Sequence, residues 1–460
     1  MTRSLPLALL IALLALGLAR ADEEPAPLRS GPMLGYVSLR SATVWVQTTR
    51  PASVQLRYWP QAAPAKARLT DPVMTRKQDG LCLTILVDGL TPGTRYDYEL
   101  YLDGVHAARP YRTDWTTRPL WQWRTSPPDT TLMLGSCSFV NEDPYDRPGR
   151  PYGGGFEIFQ TMAKVKADAM FWLGDNVYLR EVDWNTREGI AARYRWNRSR
   201  PILQALLANQ PNYAIWDDHD FGPNDSDRTY PLRDHSLEIF QRYWPAVVYG
   251  TRETPGTFQH IALADSEIFL LDDRYYRNSN KMAPGKDKRM LGKRQLKWLK
   301  ESLLSARATF KLIMNGNQIL NDKTPYESMA ALFPQEKKEL VDWIVEQRIE
   351  GVVFISGDRH HTELQAHKVP GGYPLYELTC SPLTSGAHKL PKDHVEFDHP
   401  QRVPGTLVGE RNYALLKLEG PARERKLVIE VYGVKGERLW RHEIARSQLG
   451  WTKKKKGKLY

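Results

Sequence analysis

The feature that most constrains this chain is an apolar run, Met170 to Leu173, that stops at Gly174 and is followed at once by Asp175, Asn176 and Tyr178. A buried parallel strand delivers polar groups in this way, at its carboxyl edge. The pattern recurs from Thr131 onward, where residues 213–216, 268–271, 312–314 and 352–355 are short apolar runs, each with a polar cluster behind it. Between them, residues 292–306 and 335–347 carry apolar side chains at helical spacing. Strands alternating with helices predict an α/β domain whose strand ends gather into one site. Taken alone, residues 171–178 would equally suit an ordinary turn built on Gly and Asp. The recurrence decides against that.

At 460 residues the chain has room for two or three domains. Residues 1–21, with Arg3, an apolar stretch over 5–18 and Ala19-Arg20-Ala21 at the end, read as a cleavable secretory signal. The mature protein is thus expected to be secreted or periplasmic, with a retained anchor as the alternative. No later run is long enough to cross a bilayer. The formal charge is +11, and part of it sits in the basic tail at 451–460, on Lys453 to Lys456 and Lys458. The remaining basic residues are interleaved with acids and show no stripe or stacking platform for nucleic acid. A positive field draws in an anionic substrate, and weak contact of the tail with anionic surfaces is the further partner it admits. Three cysteines, Cys82, Cys137 and Cys380, exclude a disulfide framework. Cys137 follows the apolar run 132–134 and is a candidate ligand; a buried inert thiol is the alternative.

An N-terminal domain is expected over 22–125, beginning with a Pro-rich acidic linker at 22–31. Alternating segments at 43–46, 54–58, 83–87 and 96–100 indicate an antiparallel β-sandwich. Residues 90–98 resemble the corner of fibronectin type III-like domains in which a Tyr hydroxyl ties back to the backbone. The catalytic domain is expected over 130–450, closed by strands at 413–418 and 427–432, after which residues 437–440 lead outward.

Two polar clusters stand out beside Asp175 and Tyr178. Asp217, Asp218, His219 and Asp220 follow a strand in succession, and adjacent carboxylates repel unless a cation neutralises them. Asp358 and His360, one residue apart on a turn, can face one cation, and Arg359 between them can meet a phosphoryl oxygen.

Four elements occur in order: Gly-Ser-Cys at 135–137, Gly-Asp-x-x-Tyr at 174–178, Trp-Asp-Asp-His-Asp at 216–220 and Gly-Asp-x-His at 357–360. Together with residues 271–277 and 378–386, this resembles the PhoD-like alkaline phosphatases (alkaline phosphatase D family) of the metallophosphoesterase superfamily. The resemblance implies an α/β, four-layer αββα sandwich preceded by an all-β, fibronectin type III-like domain. It also implies Fe3+ held by Cys137, Asp175, Tyr178 and His360. Asp175 would bridge to Ca2+, bound also by Asp358 and by Asn224 or Asp218. In the wider superfamily the second metal takes His nitrogens, whereas here Asp358 occupies one such position and residues 315–318 contain no His. Trading nitrogen for oxygen shifts a site towards calcium. The implied activity is hydrolysis of phosphate monoesters and diesters by metal-activated water. His219 would orient the substrate or protonate the leaving group, and Arg359 or Arg274 would absorb phosphoryl charge. Two other readings remain: a purple-acid-phosphatase-like enzyme, against which Cys137 and Asp358 count, and a secreted calcium-dependent binding protein with a degenerate phosphatase fold.

Overall fold

Buried and exposed residues alternate along Ser53–Pro60 (β3) and Arg95–Leu102 (β7), so each lays one face on a core and the other in water. With the short strands Arg68–Leu69 (β4), Val73–Met74 (β5), Val105–His106 (β8) and Asp114–Thr116 (β9), they form one sheet of a small sandwich. The opposing sheet is Leu28–Val37 (β1), Ala42–Thr48 (β2) and Cys82–Val87 (β6), in the order β1-β2-β6. The expected corner is present: the Thr91 N–H donates to the Tyr96 hydroxyl over 2.9 Å. The computed structural model describes residues 26–451 except 325 and 327, so the expected signal at 1–21 and the tail beyond residue 451 lie outside the described residues.

β2 departs from alternation, being buried on both faces. Val44 and Val46 point into the sandwich core, while Trp45 joins the core of the following domain, where its indole N–H donates to the Arg242 carbonyl.

That domain is built on two six-stranded sheets. The first runs Asn212–Ile215 (β12), Ala169–Leu173 (β11), Thr130–Gly135 (β10), Asn412–Glu419 (β19), Lys426–Gly433 (β20) and Arg438–Ala445 (β21), with β10, β11 and β12 parallel. The second runs Gln259–Leu263 (β13), Ser266–Leu270 (β14), Phe310–Asn315 (β15), Val352–Ser356 (β16), Leu375–Thr379 (β18) and Glu363–His367 (β17), with four central parallel strands. Alternate residues of the first sheet, such as Leu132, Leu134, Phe171 and Leu173, pack in one core with the second sheet. Their neighbours Met133, Met170 and Trp172 pack instead against Ile158, Leu206 and Phe240, from three helices on the outer side. Helices Gly292–Ser305 and Pro334–Glu346 supply Leu296, Leu299, Leu340 and Ile344 to the second sheet. The order helix, sheet, sheet, helix is the expected four-layer αββα sandwich.

One segment differs from expectation. Residues 438–445 do not lead outward but form β21, the edge strand of the first sheet. Three of its eight residues are exposed and only Ile444 is buried, as suits an edge, so no strict apolar alternation announces it.

Candidate metal centre

The parallel strands of both sheets end on one side, and their turns meet there. Ser138 N–H donates to Asp175 O over 2.8 Å, joining the turns after β10 and β11, and Gly357 N–H donates to Gly316 O over 2.8 Å, joining those after β16 and β15. The two sheets approach so closely that a side chain on Gly357 would lie 2.7 Å from the Leu173 carbonyl and from the Ser136 Cβ. Four side chains expected to hold metal sit on left-handed backbone: Cys137, Asp175, Asp358 and His360 have φ of 58°, 53°, 65° and 54°. Such conformations cost non-glycine residues about 1–3 kcal/mol each and persist where the surroundings dictate them, often at functional sites.

Ligand-capable atoms of Cys137, Asp175 and His360 all lie within 4.8 Å of one another, and so do those of Asp175, Asp218 and His219. Asp175 belongs to both groups. Around the first, Cys137 Sγ is 3.7 Å from Asp175 Oδ2, and the Tyr178 hydroxyl is 3.3 Å from His360 Nε2. Ser381 Oγ donates to Cys137 Sγ over 3.1 Å and Ser385 Oγ to the Tyr178 hydroxyl over 2.9 Å. Around the second, the His219 N–H contacts Asp175 Oδ1 at 3.3 Å, and the His219 ring lies 4.3 Å from that of Tyr178.

Burial, then the charges of Asp218, Asp220 and Asp358, push the Asp175 carboxyl well above the usual range. Burial and the neighbouring Asp175 do the same to the Cys137 thiol and the Tyr178 phenol. Asp218 goes the other way: burial opposes its ionisation, yet the His219 and Arg274 charges and the Asp225 N–H hold it below the ordinary range. Burial lowers His360 to about 3, so its imidazole is neutral, the form that ligates.

A family model described as PhoD-like phosphatase matches residues 132–415, more than half of the chain. The chain belongs to the PhoD-like phosphatase family. A second family model, a domain of unknown function (DUF7800), matches residues 25–119. Alkaline phosphatase D of Bacillus subtilis (strain 168) is 24% identical over 323 residues, 59% of this chain. The matched region spans about half, 52%, of that relative. The solved structure of PhoD superposes with a TM-score of 0.73 at 18% identity, covering 92% of this chain and 93% of that one. Purple acid phosphatase PPD1 from yellow lupin (Lupinus luteus) seeds gives a TM-score of 0.63 at 11% identity, covering 92% and 74%. At these identities the likeness to the two structures is one of fold.

The donor set of this PhoD-like chain suits cations. Burial and mutual repulsion raise the Cys137 thiol, the Tyr178 phenol and the Asp175 carboxyl, and a cation among them is what would reverse that. Sulfur, phenolic oxygen, imidazole and carboxylate together are a transition-metal set, whereas Asp218 adds a carboxylate to the second group; Asp358 is in neither group, and its main-chain carbonyl lies 3.7 Å from Cys137 Sγ.

Of the four ionisable residues in succession, two serve the scaffold. Asp217 is paired with Arg274, at 2.5 Å, and accepts from Asn317 Nδ2 at 3.0 Å; Asp217 and Arg274 are fully buried. Asp220, raised to about 7 by burial, accepts the N–H groups of Asn176, Val177 and Asp217 and so shapes the turn that carries Asp175. Arg359, expected at a phosphoryl oxygen, donates through Nη2 to the buried Glu396 over 2.6 Å. Arg274 is committed to Asp217. Asn224 is exposed on the turn after Phe221, and it is the N–H of its neighbour Asp225 that reaches Asp218 Oδ2, at 2.8 Å. Ser381 and Ser385 were not singled out as site residues, because the strand before them, residues 375–378, is interrupted by Glu377 and lacks the unbroken apolar run of the others.

Proposed function

We propose that this chain is a secreted, metal-dependent alkaline phosphatase that hydrolyses phosphate monoesters and diesters. The observation that carries the reading is Asp175, a carboxylate shared by two groups of metal-capable residues at the joined edges of both sheets. Cys137, Asp175, Tyr178 and His360 would hold ferric iron, and Asp175 with Asp358 and with Asp218 or Asn224 would hold calcium. When bound, such cations supply positive charge that polarises a phosphoryl oxygen and lowers the pKa of water. The protein's own part is orientation and proton handling. His219 stands beside the shared carboxylate and is half-buried, placed to orient the substrate or to protonate its leaving oxygen. Ser381 and Ser385 hold the thiol sulfur and the phenolic oxygen in place. Export through the signal expected at residues 1–21 would suit a substrate outside the cytoplasm, and a metal on Cys137 would account for one free thiol of an exported chain.

The test is elemental analysis of purified wild type beside Cys137→Ser, with turnover of p-nitrophenyl phosphate. The wild type is expected to carry iron and calcium, to absorb visible light through the Tyr178 phenolate, and to lose iron, colour and activity on substitution. Equal iron in both proteins would remove Cys137 from the site, and absence of turnover in the metal-loaded wild type would favour a binding protein.

A further inference from the structure

We propose that Tyr152 is a positioning residue for His360, its hydroxyl accepting the Nδ1 proton and so fixing the tautomer and ring orientation that leave Nε2 facing the Cys137–Asp175 group. The Tyr152 hydroxyl is 2.9 Å from His360 Nδ1, while His360 Nε2 is 3.3 Å from the Tyr178 hydroxyl on the inner side. An imidazole that ligates through one nitrogen presents a lone pair there and carries its proton on the other, which needs an acceptor. The Gly386 main chain also lies within hydrogen-bonding reach of the ring, and Ser381 Oγ takes the His360 main-chain N–H, so Tyr152 is the side chain that meets Nδ1.

The strap that presents Tyr152 is held from several directions. Asn141 exchanges two 3.0 Å hydrogen bonds with Gly153, and the Gly154 N–H donates to Thr384 O over 2.9 Å. The Tyr152 ring stands edge-on to Phe139 at 5.1 Å. On its other side lies Gly386, where a Cβ would come within 2.9 Å of Tyr152 Cε2. With 43% of its surface exposed, Tyr152 contributes little to the core, so this anchoring serves the placement of its hydroxyl. No sequence pattern marks it, because it lies in an irregular segment more than 200 residues from His360, as the separation of 208 shows.

The inference rests on the reading that His360 holds a metal, and the experiment separates the two. Metal-free wild type, Tyr152→Phe, Gly386→Ala and His360→Ala are titrated with ferric iron supplied as citrate, in competition with a chelator. His360 tautomers are read from imidazole 15N shifts of histidine-labelled metal-free protein. Tyr152→Phe keeps the ring and its packing, so it is expected to unfold at the wild-type temperature, to lose the Nδ1–H tautomer, and to bind iron about 10- to 100-fold more weakly. Gly386→Ala crowds the Tyr152 ring and shifts main chain that the His360 ring also meets, and is expected to weaken iron binding in the same direction. If His360→Ala loses iron while Tyr152→Phe binds as the wild type does with an unchanged tautomer, the role of Tyr152 is overturned. If wild type and His360→Ala bind iron equally, the metal reading itself fails and the proposal falls with it.

Discussion

Two neighbouring carboxylates, Asp218 and Asp220, illustrate how position rather than residue type decides a role. Asp218 stands in the shared acidic group, and Asp220 is consumed by main-chain N–H groups of the turn that carries Asp175. Asp218→Asn is therefore expected to lower phosphatase activity at least about 100-fold with little change in denaturant midpoint. Asp220→Asn leaves buried donors poorly paired and is expected to cost about 1–3 kcal/mol of stability. Guanidinium denaturation beside turnover checks both, and matching stability losses would contradict the division. A pH signature belongs to His367, which burial and the nearby Lys337 lower to about 3. The folded state keeps it neutral while the unfolded chain protonates near 6.5, so its contribution to stability is full above about 6.5 and is lost as pH falls towards about 3. His367→Gln is expected to flatten unfolding free energy against pH over that window, by at most about 1.4 kcal/mol per pH unit. An unchanged slope would assign the acid lability to other groups.

At the scale of elements, the strand-end turns are cross-braced by buried ions. Arg274 follows β14, Asp217 follows β12 and Asn317 follows β15, so a pair bonded at 2.5 Å and its amide neighbour tie the two sheets beneath the site. Arg274→Ala would leave Asp217 buried without its counter-charge, and a loss of about 3–5 kcal/mol is expected in equilibrium unfolding. A loss below about 1 kcal/mol would show that Asn317 and protonation of Asp217 suffice. The strands themselves were legible because five apolar runs, 170–173, 213–216, 268–271, 312–314 and 352–355, are buried through both faces and fall within or a residue beyond β11, β12, β14, β15 and β16. The edge strand β21 was not legible, since Ile444 alone of its eight residues is fully buried and Leu439 and Trp440 are half-buried against the core, too few to print an alternation.

Across the whole molecule, the N-terminal sandwich is built into its neighbour. Trp45 lies in the second domain's core, Ser30 Oγ donates to the Arg198 carbonyl, and the buried Arg198 guanidinium lies 3.9 Å from the Trp244 ring centroid. Calorimetry of the full chain is expected to show a single transition, and Trp45→Ala to lower stability by about 3–5 kcal/mol. Two separate transitions would mean the domains fold independently. The sequence by itself determined the apolar strands and the polar clusters at their ends, because hydrophobic periodicity is written locally, whereas the four-layer order and the choice of Cys137, Asp175, Tyr178, Asp218 and His360 as ligands came from the family resemblance. Only the tertiary structure decided that Asp217 and Asp220 are structural, that Arg359 pairs with Glu396 and that Tyr152 reaches His360. Those outcomes depend on what each buried charge or hydroxyl finds opposite it, and the partner comes from elsewhere in the chain, as far off as the 208 residues between Tyr152 and His360.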